Sequence, residues 1–179
     1  MKEELVILVS ENDEVQGQME KIEAHQKGVL HRAFSVFIFN TKGEMLLQRR
    51  ALNKYHSAGL WSNACCSHPY PGEETSAAAI RRLREELGFS TGVTKIFDFT
   101  YKAAFDNGLT EYEFDHVFTG EYNGVIHPNP DEVCDYCYKG LDDIRYSMKV
   151  HPEKFTAWLH IVFPKIEEVR KQHYEKVIA

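Results

Sequence analysis

The sequence predicts an α+β domain, on three observations. β-rich segments dominate the first two thirds of the chain, one strongly signalled helix interrupts them, and the remainder from Leu141 onward is helical in character. The 179 residues are 43% hydrophobic, enough for one compact core across residues 1–179 and too little for two. No Gly/Ser/Pro-rich stretch offers a linker, and neither repeats nor low-complexity tracts are visible.

The elements follow in order. Leu5-Val6-Ile7-Leu8-Val9 is a short apolar run ended by the turn-rich Ser10-Glu11-Asn12-Asp13. Phe34 to Phe39 is β-rich, and Asn40-Thr41-Lys42-Gly43 turns it into Met45 to Gln48 as a hairpin. A helix is expected from Thr75 or Ser76, either of which can cap it, to Leu87, with Gly88 as a left-handed stop. Ile80, Leu83 and Leu87 share its expected buried face. Ile96 to Phe105 and Thr110 to Tyr122 form a second hairpin around Asp106-Asn107-Gly108. Val133 to Tyr138 reads as a further strand. In the helical remainder Pro152 suits a first turn and Pro164 interrupts or kinks the last stretch.

A net charge of -6 disfavours nucleic acid or an anionic membrane as the main partner, yet allows an anionic substrate where a few cations converge. Met1 to Glu3 is too short and too charged for a signal peptide, and no apolar run reaches membrane-span length. Of the four cysteines, adjacent Cys65 and Cys66 cannot easily bridge each other, so a reduced, cytoplasmic chain is expected. Cys134 and Cys137 would point to opposite faces of a strand, which a chelate cannot use, so both read as structural.

Along Thr110 to Phe118, Tyr112, Phe114, His116 and Phe118 lie on one face, and Glu111, Glu113 and Asp115 on the other. A solvated carboxylate face is the reading that spacing alone favours. Should His25, His31 and His68 converge on the same place, three imidazoles and two carboxylates would suit a divalent ion such as Mg²⁺, Mn²⁺ or Zn²⁺. His56, His127, His151, His160 and His173 lack comparable context and read as surface or core residues, and His116 as a packing residue. Cations cluster at Lys21, at Arg49-Arg50 with Lys54, and at Arg81-Arg82 with Arg84; they can line a diphosphate pocket or be scattered solvated charges.

The stretch Ser67 to Phe89 resembles a Nudix box, G-x5-E-x7-R-E-U-x-E-E-x-G-U, with Glu73, Arg81, Leu83, Glu85, Glu86 and Gly88 in register. Ser67 replaces the leading glycine, Phe89 the closing aliphatic residue, and Arg82 the glutamate after the arginine. The last exchange removes a metal ligand and supplies an anion binder. The rest of the chain resembles the type I isopentenyl-diphosphate isomerases, which use a Nudix fold without hydrolysis. The matches include Glu20-Lys21 with His25, Leu30 to Ser35, Gln48 to Ala51, Trp61 to Pro69, Tyr101, Glu111-Tyr112-Glu113, Asp131-Glu132-Val133 and Phe155 to Trp158. Ala157 departs, standing where that family often has proline.

The resemblance implies a Nudix-type mixed sheet sandwiched between helices, with additional N-terminal strands and C-terminal helices. It implies a metal on His25, His31, His68, Glu111 and Glu113 (Mn²⁺, Mg²⁺ or Zn²⁺), and a diphosphate-bridging Mg²⁺ on Glu86. Lys21, Arg50, Lys54 and Arg82 would contact the diphosphate. Cys66 and Glu113 would transfer protons, with Tyr101 beside the glutamate and Trp158 over the hydrocarbon. The implied partner is a small-molecule prenyl diphosphate, with neither nucleic acid nor membrane, and the implied state a monomer. Singly, each residue also has a structural reading: Cys66 as a small buried hydrophobe, Trp158 as a core anchor, Glu86 as an i,i+4 partner of Arg82. A Nudix hydrolase and a non-catalytic ligand-binding module are the rival functions; Arg82 argues against the first.

Overall fold

The computed structural model describes the backbone of residues 4–178 and the side chains of residues 4–172. The readings of Met1 to Glu3 and of the His173 side chain lie outside the described residues. The chain opens with β1 (Leu5–Val9), β2 (Val15–Glu20) and a short helix α1 (Lys21–Lys27). Then come β3 (His31–Phe39), β4 (Met45–Arg50), β5 (Trp61–Ser62), β6 (Cys65–Ser67) and helix α2 (Thr75–Leu87). The long hairpin β7 (Val93–Ala104) and β8 (Thr110–Glu121) is followed by β9 (Val133–Lys139), α3 (Leu141–Val150), a 3-10 turn (Pro152–Lys154) and α4 (Ala157–Ile178).

β3 is the hub. It is buried along nearly its whole length, the pattern of a strand covered on both faces. Its even-numbered side chains Phe34, Val36 and Ile38 pack with Ala78, Ala79, Leu83 and Leu87 of α2. Its odd-numbered Phe37 and Phe39 pack on the other side with Ile144 of α3 and Leu159, Val162 and Ile166 of α4. The period-two alternation thus assigns each residue to one of two apolar layers, and the sheet lies between helices. Burying Leu83 alone, which has no exposed surface, contributes about 2 kcal/mol.

β3 pairs in parallel with β8 in the register His31↔Glu113, Ala33↔Asp115, Ser35↔Val117, and antiparallel with β6 as Ser35↔Cys66. β7 pairs with β8 as Tyr101↔Glu113. The β3–β4 hairpin forms, but its strands pair only at Phe39↔Met45 before they diverge, and β4 goes on to pair with β9. The turn is an Asx turn: Asn40 Oδ1 accepts from the amides of Lys42 and Glu44 at 3.0 Å each.

Several local expectations are corrected. Thr75 is already helical and Glu74 occupies the N-cap position without a side-chain cap bond, so neither Thr75 nor Ser76 caps α2. Gly88 does end it, at φ 73°, where a Cβ would lie 2.4 Å from the His127 carbonyl oxygen. Ile80 is only half-buried, since the inner face of α2 runs through Ala79, Leu83, Glu86 and Leu87. α4 continues through Pro164 rather than stopping there. Ala157 is the first residue of α4, the slot that proline favours, so its presence leaves the helix start in place. His116 is more than packing: its Nε2 lies 2.9 Å from Asp13 Oδ2, which fastens β8 to the β1–β2 turn.

Candidate active site

The registers above set one row of side chains across three strands, Tyr101–Glu113–His31, all on the face that carries α4. The carboxylate face of β8 is therefore the buried one: Glu111, Glu113 and Asp115 are each at most 6% exposed. That overturns the solvated reading, because alternation separates two faces without telling which is covered. His68 enters from the end of β6, with its Nε2 3.0 Å from Glu113 Oε1 and 3.2 Å from His31 Nε2. His25 comes from α1, its ring centroid 4.9 Å from that of His31. One ligand atom from each of His25, His31, His68 and Glu113 falls within 4.8 Å of the others.

These four residues fit a divalent metal. His25 Nδ1 lies 2.6 Å from the Lys21 carbonyl oxygen and His31 Nδ1 lies 2.8 Å from that of Val29. A carbonyl only accepts, so both Nδ1 atoms carry the hydrogen and both Nε2 lone pairs turn inward, as metal-ligating imidazoles require. His25 Nε2 is buried with no hydrogen-bond partner among the described residues. Burial holds His25 below the usual histidine range and His68 down at about 4, which keeps both neutral and able to ligate. Glu111 stands apart from this group. Its Oε2 lies 3.0 Å from Tyr101 Oη and its Oε1 lies 3.4 Å from His56 Nε2.

Burial and the neighbouring Glu113 push Glu111 well above the ordinary carboxylate range. Burial acts on Glu113 too, but the adjoining His31 and His68 outweigh it and hold Glu113 ionised. Of the two carboxylates, Glu113 carries the charge. Its second oxygen accepts from Tyr101 Oη at 2.6 Å.

On the other flank of β3, β6 sends Cys65 into the layer under α2 and Cys66 into the site, again by alternation. Cys66 Sγ lies 3.3 Å from Ser35 Oγ and 3.1 Å from Asn63 Oδ1. Ser35 donates its hydrogen to Asp115 Oδ2 at 2.6 Å, and the Asn63 amide is fixed by donating to the Val36 and Cys65 carbonyls. Both neighbours thus face the sulfur as acceptors. Burial, and then the neighbouring Asp115, push the thiol up, so Cys66 is held as S–H. Trp158 Nε1 donates to Ser62 Oγ at 2.8 Å, and Ser62 donates to Asn63 Oδ1 at 3.0 Å, which links the indole to the same network.

Lys21, Arg50, Lys54 and Arg82 line the same cavity as Cys66, Tyr101, Glu113 and Trp158. Arg82 donates to Glu86 at 2.7 Å and lies 3.4 Å from Glu132, which also pairs with Lys54. Burial works against the charge on Arg82, and the Glu86 and Glu132 carboxylates more than offset it. Glu86 itself is buried, accepting from Gln48 Nε2 at 2.9 Å as well as from Arg82. Arg50 lies 5.2 Å over the Trp158 ring.

Sequence reasoning missed several members. His56, set aside as lacking context, is 8% exposed and lines the cavity. Gln48, Tyr55 and Glu132 line it as well. One signal was available for Ser35: it is the lone polar residue within the apolar run Ala33 to Phe39. For His56 the only hint was its place two residues after Lys54. All four cysteines are free, and Cys134 is exposed, donating to the Arg50 carbonyl.

A family profile described as NUDIX domain matches residues 29–159. The chain is 53% identical over 163 residues to an isopentenyl-diphosphate Delta-isomerase of Pectobacterium atrosepticum, covering 91% of each protein. It is 42% identical over 177 residues to one of Serratia proteamaculans, covering 99% of each. Among solved structures, DR0079 from Deinococcus radiodurans superposes with a TM-score of 0.76 at 19% identity, over 90% of this chain and 98% of that one, a likeness of fold alone. On family profile and near full-length identity together, the chain belongs to the isopentenyl-diphosphate Delta-isomerase family of NUDIX-domain proteins.

Proposed function

We propose that this chain interconverts isopentenyl diphosphate and dimethylallyl diphosphate for isoprenoid biosynthesis, with Cys66 and Glu113 as its two proton-transfer groups. The observation that carries the reading is the arrangement of Cys66 and Glu113. They stand on the two strands that flank β3, point to the same cavity, and each is held by neighbours that fix one protonation state. The reaction needs that pairing: one group adds a proton to an alkene carbon, the other removes a proton two carbons away, and a tertiary cation lies between. Reversal exchanges the two roles.

Tyr101 donates to Glu113 Oε2 and so orients the carboxylate and spreads its charge. Trp158, anchored by Ser62, offers its π face to the cation, a contact worth about 2 kcal/mol when desolvated. Lys21, Arg50, Lys54 and Arg82 hold the diphosphate, Arg through forked contacts. His25, His31, His68 and Glu113 would hold Mn²⁺, Mg²⁺ or Zn²⁺, with Glu111 the next donor along the strand, and Glu86 would hold a diphosphate-bridging Mg²⁺. When bound, the first metal fixes the Glu113 carboxylate and tunes its basicity, and the second neutralises diphosphate charge. Arg82, clasped by Glu86, sits where a hydrolase box has a glutamate, and this supports isomerisation over diphosphate cleavage.

The test is proton NMR of isopentenyl diphosphate with purified protein and Mg²⁺ in D₂O. Dimethylallyl diphosphate carrying deuterium in a methyl group is the expected product. Unchanged substrate with the metal site filled, or release of phosphate, would sink the reading.

A further inference from the structure

The loop between β4 and β5 carries Tyr55 and His56 over the cavity, and the tip of the β7–β8 hairpin grips that loop at two points. The His56 ring stacks on Phe105, with centroids 4.6 Å apart and planes 19° from parallel. Asn107 Nδ2 donates to the Tyr55 carbonyl oxygen at 2.9 Å. The His56 ring also meets the Trp158 ring edge-on at 6.0 Å, and the His56 carbonyl accepts from Arg50 Nη2 at 3.2 Å. The imidazole is thereby wedged between Phe105 and Trp158, against the indole assigned to the hydrocarbon. Asn107 is exposed at the hairpin tip, and its side chain bonds only Tyr55 and Leu109 among the described residues.

We propose that this clasp, the His56–Phe105 stack with the Asn107–Tyr55 bond, sets product fidelity by keeping water off the tertiary carbon of the cation. The inference rests on the isomerase reading. The cation has two exits. Loss of a proton from the neighbouring carbon to the base gives dimethylallyl diphosphate. Attack by water forms a C–O bond from an oxygen lone pair, and the oxonium then gives its proton to the base or to solvent, leaving a tertiary alcohol diphosphate. Neither exit involves oxidation or reduction, so only the presence of water at that carbon separates them.

The experiment incubates metal-loaded protein with isopentenyl diphosphate in water labelled with oxygen-18 and measures the ratio of labelled alcohol diphosphate to dimethylallyl diphosphate by mass spectrometry. Phe105→Ala, which loses a stacked aromatic pair, and Asn107→Ala, which loses a neutral hydrogen bond, are each expected to raise that ratio about two- to tenfold. Phe105→Tyr keeps the stack and is expected to keep the wild-type ratio. A defect confined to folding would lower both products together and leave the ratio unmoved. If Phe105→Ala does not fold, the exposed Asn107 still carries the test. An unmoved ratio in variants that still form dimethylallyl diphosphate overturns the clasp, whereas wild type that forms none defeats the isomerase reading instead.

Discussion

Tyr101 Oη stands 2.6 Å from Glu113 Oε2 and 3.0 Å from Glu111 Oε2, so one phenolic hydrogen faces two carboxylates. It goes to Glu113, the shorter contact and the charged partner. Burial first, and then the adjoining Glu111 and Glu113, raise the Tyr101 pKa well above the ordinary tyrosine range, so the phenol keeps its hydrogen. Tyr101→Phe removes a bond to an ionised group, worth about 1.5–3 kcal/mol. Steady-state kinetics should show kcat falling about 10- to 100-fold with KM nearly unchanged. A fall in kcat/KM through KM alone would place Tyr101 in substrate binding.

Cys66 touches Ser35 and Asn63 and none of the four clustered ligand residues, whereas Glu113 belongs to that cluster. Cys66→Ala should therefore lose about 10²- to 10⁴-fold in kcat while keeping its full metal content. Glu113→Gln should lose as much activity and bind metal more weakly. Elemental analysis beside turnover distinguishes the two. Equal metal loss in both variants would contradict the separation of the proton-transfer groups across β3.

Much of this was readable in the chain, and what was not has physical causes. β3 and β8 announce themselves because an apolar run and a clean alternation survive in their sequences, and Asp106-Asn107-Gly108 marks the turn of a local hairpin. β2 was missed because its alternation is weak: Val15, Gly17 and Met19 do alternate with Gln16, Gln18 and Glu20, but a glycine sits in the middle, and the strand is held by pairing with β1. α1, with seven residues, is too short for a helical period to show. Alternation put Glu111, Glu113 and Asp115 on one face but could not say that the face was covered; that depends on residues distant in sequence, His25 of α1, His31 and Ser35 of β3, and His68 after β6. The parallel His31↔Glu113 pairing joins residues 82 positions apart, and no local signal specifies it. His56 was lost for the same reason: its stacking partner Phe105 belongs to a different hairpin.

Gln48 shows how a residue without chemistry of its own can govern one that has it. Its Nε2 donates to the Ala64 carbonyl at 2.8 Å and to Glu86 Oε2 at 2.9 Å, both buried. Gln48→Leu keeps the volume but strands two acceptors, at a cost of about 1–3 kcal/mol each. Urea unfolding should show a loss of about 2–6 kcal/mol for the two together, and the Mg²⁺ concentration for half-maximal activity should rise because Glu86 is no longer held. A variant with wild-type stability and wild-type Mg²⁺ response would show that Gln48 is dispensable.

Metal binding should be unusually tolerant of mild acid. A ligating imidazole must be neutral, so an ordinary histidine site weakens once pH falls below about 6.5. Here burial lowers the pKa of His25 and takes that of His68 down to about 4. A lowered histidine pKa favours the neutral, ligating form, so in the metal-free fold both rings protonate at lower pH than an ordinary histidine, His68 only near pH 4. Glu113, held below the ordinary carboxylate range by the adjoining His31 and His68, also stays ready to ligate. Calorimetric titration of metal-free protein should thus show the affinity falling at lower pH than an ordinary histidine site would, with the His68 contribution lost only as pH approaches 4. Removing the metal with a chelator at pH 7 should abolish turnover, and restoring it at pH 5.5 should refill the site. An affinity that already drops steeply between pH 7 and 6 would mean that these histidines titrate as exposed ones do, against the burial that His25 and His68 show.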